Sequence, residues 1–169
     1  MEHLACADVG VAEDRPLQVG GLILRPVFTP GHTDTHHCYL LDHGGTQSIF
    51  TGDALLIDGC GRTDFQSGSA EALYHSVREK IFTLADDTLV YPSHDYQHRH
   101  VSTIAQERER NPRLGDDRSL DEFVRIMANL NLPYPKKIDA AVPANRLCGD
   151  CSDTAVEEFH GIGGKAVQG

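Results

Sequence analysis

The sequence predicts a mixed α/β (α+β) domain, and three observations predict it. Short β-rich runs bounded by glycine and proline fill the first third of the chain. Apolar residues recur at helical spacing after residue 69 and again after residue 119. Candidate functional residues fall where predicted strands run into loops, as in T-P-G-H at residues 29–32 and T-G-D at residues 51–53.

Taken in order, residues 1–21 carry no clear period, and Gly20-Gly21 marks a turn. Leu22 to Phe28 reads as a strand, with Pro26 limiting how it pairs. It delivers the turn at Pro30-Gly31 and then His32. Cys38 to Leu41 reads as a second strand, Gly44-Gly45 as a turn, and Ser48 to Thr51 as a third strand ending at Gly52-Asp53. No period holds from Ala54 to Gly68. Gly59, Gly61 and Gly68 make this a loop that lets backbone come close to a ligand. Ser69 is the expected N-cap of a helix with Leu73, Val77, Ile81 and Leu84 on one stripe. Thr88 to Tyr91 is a short strand stopped by Pro92, and Ser93-His94-Asp95-Tyr96 forms another loop at a strand end. A helix is expected over Val101 to Arg110, closing at Asn111-Pro112. Ser119 and Glu122 form a capping box before a helix whose stripe is Leu120, Phe123, Val124, Met127 and Leu130. Met127 needs no role beyond packing. Pro133 and Pro135 end this helix, and after Pro143 the pattern weakens. The expected organisation is one domain over 1–150 and a glycine-rich flexible tail over 151–169, with no internal repeat or linker.

Composition narrows the function. The 169 residues suffice for one domain with a core, and the net charge is −10. An acidic chain whose basic residues cluster only as briefly as Lys136-Lys137 is no partner for a phosphate backbone, so no nucleic acid is expected. No apolar run approaches membrane-spanning length, so no membrane is expected either, and the acidic N-terminus lacks the pattern of a secretory signal. Cys6, Cys38, Cys60, Cys148 and Cys151 are odd in number and irregularly spaced. They do not read as a disulfide framework, and an intracellular, reducing compartment is expected.

His32 and Asp53 begin a site for a divalent cation: an imidazole nitrogen and a carboxylate oxygen at the ends of neighbouring strands. The pair suits zinc, or ferrous iron if a second histidine completes a two-histidine, one-carboxylate face. Singly, each also reads as structural: a loop histidine bonded to a carbonyl, an aspartate capping a turn. His94, again at a strand end, strengthens the metal reading and is the third candidate ligand. In Gly59-Cys60-Gly61-Arg62-Thr63-Asp64, Arg62 offers a fork that grips a carboxylate at two points, or else a salt bridge to Asp64. Cys60 is either a reactive thiol or a small residue filling a gap. Cys148-Gly149-Asp150-Cys151 is a lone C-x-x-C with no redox context, and His36, His37, His98 and His100 read as surface residues.

The ordered motifs T-P-G-H-T-D, F-T-G-D-A-L-L-I-D-G-C-G-R-T-D-F-Q-S-G, Y-H-S-V-R-E-K-I-F-T-L, Y-P-S-H-D-Y and N-L-N-L-P-Y-P-K-K-I-D-A-A-V-P-A-N resemble one family from about Ala7 to Cys148. It is the persulfide dioxygenases of the metallo-β-lactamase superfamily, relatives of glyoxalase II. G-H-T and G-D indicate only the superfamily, whereas G-C-G-R-T-D-F-Q is specific to this branch. The resemblance implies an αββα sandwich, here mainly its C-terminal half. It also implies one Fe(II) per site, with zinc as a substitute, and oxidation of glutathione persulfide by O2 to sulfite and glutathione. Of the iron ligands, His32 and Asp53 would be two. His94 matches a second-metal histidine of glyoxalase II that stays beside the iron in the dioxygenases. Arg62 would pair with a glutathione carboxylate, and Tyr96 and Cys60 would line the substrate pocket. If the source is eukaryotic, the resemblance places the protein in the mitochondrial matrix, and otherwise in the cytoplasm.

The family's front half carries T-H-x-H-x-D-H, whose first histidine is the third ligand, and no H-x-H-x-D-H occurs here. The resemblance therefore implies an uncovered apolar sheet face, met by a homodimer partner or by a separate N-terminal half. Two alternatives remain open: a glyoxalase II-like thiolester hydrolase with a two-metal site, and a non-catalytic, dimerising half-domain.

Overall fold

A computed structural model describes residues 7–65 and 67–149. The chain divides into two compact units, one of residues 11–131 and one of the remaining N- and C-terminal residues.

The larger unit contains a sheet of six strands in sequential order: β1 (Leu17–Val19), β2 (Leu22–Phe28), β3 (His37–His43), β4 (Thr46–Gly52), β5 (Leu89–Pro92) and β6 (Ser102–Thr103). Pairing is antiparallel except between β4 and β5, which run parallel. That parallel pair needs a crossover, and α1 (Ala70–Ser76) provides it. α2 (Ile104–Arg110) and α3 (Leu120–Ala128) follow the last strand.

Alternation along the strands decides what is buried. Cys38, Ile49 and Val90 face a core shared with Leu73, Val77, Ile81, Phe82, Ile104, Leu114, Phe123 and Met127, so the helices lie on one face of the sheet. The opposite face carries Pro26, Tyr39, Phe50 and Tyr91 in one cross-strand row. The rings of Phe50 and Tyr91 stack at 5.6 Å, and Phe50 is 40% exposed. The described residues thus supply one β-layer and one α-layer of the expected sandwich, with apolar side chains on the far side of the sheet.

The expected helix over Val101 to Arg110 begins only at Ile104. Ser102 pairs with Val90 as β6, and the Thr103 side chain caps the helix by accepting from the Gln106 amide. The helix after Ser69 widens at Val77–Ile81 into a π-helical turn closed by Phe82 N–H to Val77 O at 2.8 Å, which keeps both Val77 and Ile81 buried. The capping box at Ser119 and Glu122 forms as expected, with both reciprocal bonds present.

In the smaller unit the described residues include α4 (Ile138–Arg146), where Tyr134 OH donates to Asp139. Its weak amphipathic pattern and internal Pro143 hid it in the sequence. Cys148 is disulfide-bonded, while Cys38 and Cys60 carry free thiols. An odd, irregular cysteine set argues against a framework of many bridges but does not exclude one. The expected tail lies outside the described residues. No described helix is long and apolar enough to cross a membrane.

Candidate metal centre

The site is assembled by three loops at one rim of the sheet. The first is the tight loop between β2 and β3, closed by Gly31 N–H to Thr33 O and Thr29 N–H to His36 O, each at 2.9 Å. Gly31 has φ +144°, and a Cβ there would come within 2.4 Å of the Leu73 backbone. Glycine is required because α1 packs directly on the turn. Ser69 N–H donates to Gly31 O at 2.8 Å and Ser76 Oγ donates to Pro30 O at 2.7 Å. The helix thereby holds the backbone that carries His32.

His32 donates its Nδ1–H to the Arg62 carbonyl at 2.7 Å. A carbonyl only accepts, so this bond selects the tautomer and leaves the Nε2 lone pair free. That Nε2 lies 3.4 Å from Asp53 Oδ2. Two ligands of a metal with bonds of about 2.0–2.2 Å are separated by about this distance, so the residues fit a shared cation. Gly61 makes the approach possible: its N–H donates to Asp53 O at 2.8 Å, and a Cβ there would sit 2.5 Å from that oxygen and 3.0 Å from His32 Nδ1.

Asp53 follows the end of β4. Its Oδ1 accepts from Ser93 Oγ at 2.9 Å and from His94 Nδ1 at 2.7 Å. Burial pushes this carboxyl up, but the hydrogen bonds from His94 and Ser93 and the nearby imidazoles outweigh it, and it stays below the usual carboxylate range. It is therefore an anion at neutral pH, the form that binds metal.

His94 does join the cluster, but on the carboxylate oxygen that does not face His32. Among the described residues no group of three or more His, Cys, Asp or Glu side chains is disposed to hold one metal ion. The expected convergence of three ligands on one gap is thus replaced by a line: His32, then Asp53, then His94.

His36, read from sequence as a surface residue, is an inner member of this site. Its Nδ1 bonds Thr29 Oγ1 at 2.9 Å, and its ring stands edge-on to His32 at 6.3 Å. Burial, followed by the neighbouring His32, pushes it down to about 4, so it is neutral at physiological pH. The available signal was the spacing H-T-D-T-H across a tight turn, which returns the second imidazole to the rim of the first.

The expected substrate residues divide. Tyr96 is 85% exposed and stacks on His94 at 6.3 Å. Arg62 turns its fork onto Asp64, with Nε to Oδ1 and NH2 to Oδ2 both at 2.7 Å, and lies 4.4 Å over Phe65. The salt-bridge alternative describes it in this state. Cys60 corrects the expectation of a pocket-lining residue. It is 3% exposed, with its thiol 3.7 Å from Met127 Sδ inside the core, and burial pushes the thiol up to about 11. At neutral pH it is an inert, protonated packing residue.

Comparison with known proteins agrees with this architecture. The profile of the Metallo-beta-lactamase superfamily matches residues 7–94. The mitochondrial persulfide dioxygenase of Homo sapiens is 53% identical over 152 residues, which is 89% of this chain and 58% of that protein. A crystal structure of the Myxococcus xanthus protein ETHE1 superposes with a TM-score of 0.80 at 54% identity, covering 86% of this chain and 63% of that one. A hydroxyacylglutathione hydrolase of Polaromonas is 39% identical over 107 residues, 62% of this chain. The chain spans a little over half the length of the persulfide dioxygenases it matches. With a matching profile over half its length and the superfamily's fold, the chain belongs to the metallo-beta-lactamase superfamily, where it is similar to the persulfide dioxygenases.

Proposed function

We propose that the chain contributes the metal and glutathione-binding loops of a persulfide dioxygenase, which oxidises glutathione persulfide with O2 to sulfite and glutathione. In that reaction the outer sulfur is oxidised to sulfite, O2 is reduced, water supplies the remaining oxygen, and glutathione leaves as the thiol. The observation that carries the reading is the 3.4 Å between His32 Nε2 and Asp53 Oδ2, in a chain similar over most of its length to persulfide dioxygenases.

His32 and Asp53 would hold Fe(II), which when bound supplies open coordination positions to sulfur and O2. Around it, the Arg62 carbonyl keeps His32 oriented, and Ser93 and His94 hold the outer oxygen of Asp53. The neutral His36 adds no charge to the site. Tyr96 and the Arg62 fork would bind glutathione, Arg62 by exchanging Asp64 for a substrate carboxylate. A third ligand comes from another polypeptide segment or a second copy, which would also cover the face bearing Phe50 and Tyr91.

The test is O2 uptake and sulfite release on glutathione persulfide, after anaerobic loading with Fe(II), with and without a polypeptide carrying the H-x-H-x-D-H segment. Uptake in the combined sample supports the reading, and none in either sample sinks it. One observation favours a second reading. Asp53 joins two histidines through different oxygens, the arrangement a two-metal thiolester hydrolase would use. Oxygen-independent cleavage of a lactoylglutathione-like thiolester would establish that activity instead. A non-catalytic half-domain predicts neither reaction.

A further inference from the structure

Glu107 is fully buried on α2, and nothing in the proposed chemistry uses it. A buried carboxyl is tolerated only when its oxygens are satisfied, and here the donors are informative. Its Oε2 accepts from the Asp58 amide and from Asn111 Nδ2, both at 2.9 Å, and its Oε1 accepts from Ser102 Oγ at 2.5 Å. Asn111, also buried, donates to the Gly59 carbonyl at 3.0 Å and accepts from the amides of Arg113 and Leu114. Arg113 NH1 donates to the Cys60 carbonyl at 2.9 Å. The segment from 107 to 113 thus grips the backbone of three consecutive residues, Asp58, Gly59 and Cys60.

The next two residues hold the candidate ligands. Gly61 N–H bonds the Asp53 carbonyl, and the Arg62 carbonyl accepts the hydrogen bond from His32 Nδ1–H. Five successive residues therefore pass directly from a buried side-chain clamp to the groups that orient His32 and Asp53, with no free residue between. On the other side of the loop, Arg99 bonds the Ile57 carbonyl and pairs with both Asp58 and Asp95, the residue after His94.

We propose that Glu107 and Asn111 are positioning residues for the metal site: by fixing the loop at 58–60 they place the Arg62 carbonyl, and so hold His32 in the one tautomer and orientation that leaves Nε2 facing Asp53. The inference rests on reading His32 and Asp53 as metal ligands. The clamp's effect on the imidazole is measurable without any metal.

The test compares Glu107→Met, which keeps the volume and removes the acceptors, with Glu107→Gln, which keeps one acceptor for the Asp58 amide. In the metal-free chain at about pH 8, where an ordinary imidazole is neutral, long-range proton–nitrogen NMR correlations report the His32 tautomer. Wild type shows Nδ1–H alone, E107M shows a mixture, and E107Q restores the single form. Co(II) titrated into the same samples binds about tenfold more weakly to E107M than to wild type, with recovery in E107Q. A lower thermal midpoint for E107M with unchanged tautomer and Co(II) affinity overturns the proposal, because it reduces Glu107 to a stabilising residue. Should E107M fail to fold, Arg113→Met removes the grip on Cys60 from a partly exposed position and is read in the same way. A wild-type chain that binds no Co(II) even with the H-x-H-x-D-H polypeptide added refutes the metal reading, and the tautomer comparison still decides the clamp.

Discussion

The two sides of the rim are built differently. On the His32–Asp53 side both side chains are mostly buried, and their polar atoms have assigned partners: a carbonyl for Nδ1, a serine and a histidine for Oδ1. On the Arg62–Tyr96 side the partners reach the surface: Tyr96 is exposed, and the Arg62 fork, its own side chain mostly buried, sits on Asp64, a carboxylate that is largely exposed. Preorganised hydrogen bonds suit a cation, whose ligands must converge before it arrives. An ion pair whose carboxylate is exposed suits a flexible, charged substrate, because that carboxylate is readily exchanged.

Variants can break that contrast. The largest effect is expected from Asp53→Asn, which removes the anionic ligand and leaves only a neutral amide oxygen to accept from Ser93 and His94. Metal content after anaerobic loading should fall to background, a loss of at least about a hundredfold in affinity, with persulfide oxidation lost in parallel. Retained stoichiometric metal in D53N would show that Asp53 is not a ligand.

His36 gives an intermediate effect that needs no substrate. Its folded-state value is pushed from the ordinary 6.5 down to about 4. Between those values the unfolded chain binds a proton that the folded chain refuses, so stability is intact above 6.5 and falls as the pH drops toward 4. His36→Gln should flatten this part of the denaturation profile in the metal-free protein. Asp53 acts in a lower window: its depressed carboxyl contributes stability above the ordinary carboxylate range, and that contribution is lost on further acidification. An unchanged slope in H36Q would mean that the imidazole is not held neutral.

The smallest effect belongs to the Arg62–Tyr96 side. If Arg62 must release Asp64 to grip glutathione, Asp64→Asn should lower KM about two- to fivefold with kcat unchanged, the scale of an exposed ion pair. An unchanged KM would place the substrate carboxylate elsewhere.

Local patterns were enough to anticipate much of this molecule. The helices after Ser69 and Ser119 announced themselves through caps and apolar stripes, and strands β2 to β5 through short β-rich runs between turns. Strand-end positions sufficed to bring His32, Asp53 and His94 to one rim. Less was legible where two readings had equal local support. Val101 to Thr103 could continue a helix, yet β5 offered an edge, and Ser102 paired with it. His36 resembled its neighbour His37 in sequence, but only His36 turns inward against Thr29. For Cys60 the residues left a reactive thiol and a gap-filling residue equally open and the family resemblance implied a pocket wall, whereas packing against Met127 and Arg113 put its thiol in the core.

By itself, then, the amino-acid order determined most of the element types, the acidic character, and the pair of residues able to begin a metal site, because propensity, periodicity and spacing act over a few neighbouring residues. Tertiary structure alone decided which oxygen of Asp53 each histidine meets, which tautomer His32 adopts and how Glu107 reaches the loop at 58. Those outcomes depend on side chains separated by tens of positions, and their hydrogen bonds exist only once the sheet and its helices have packed.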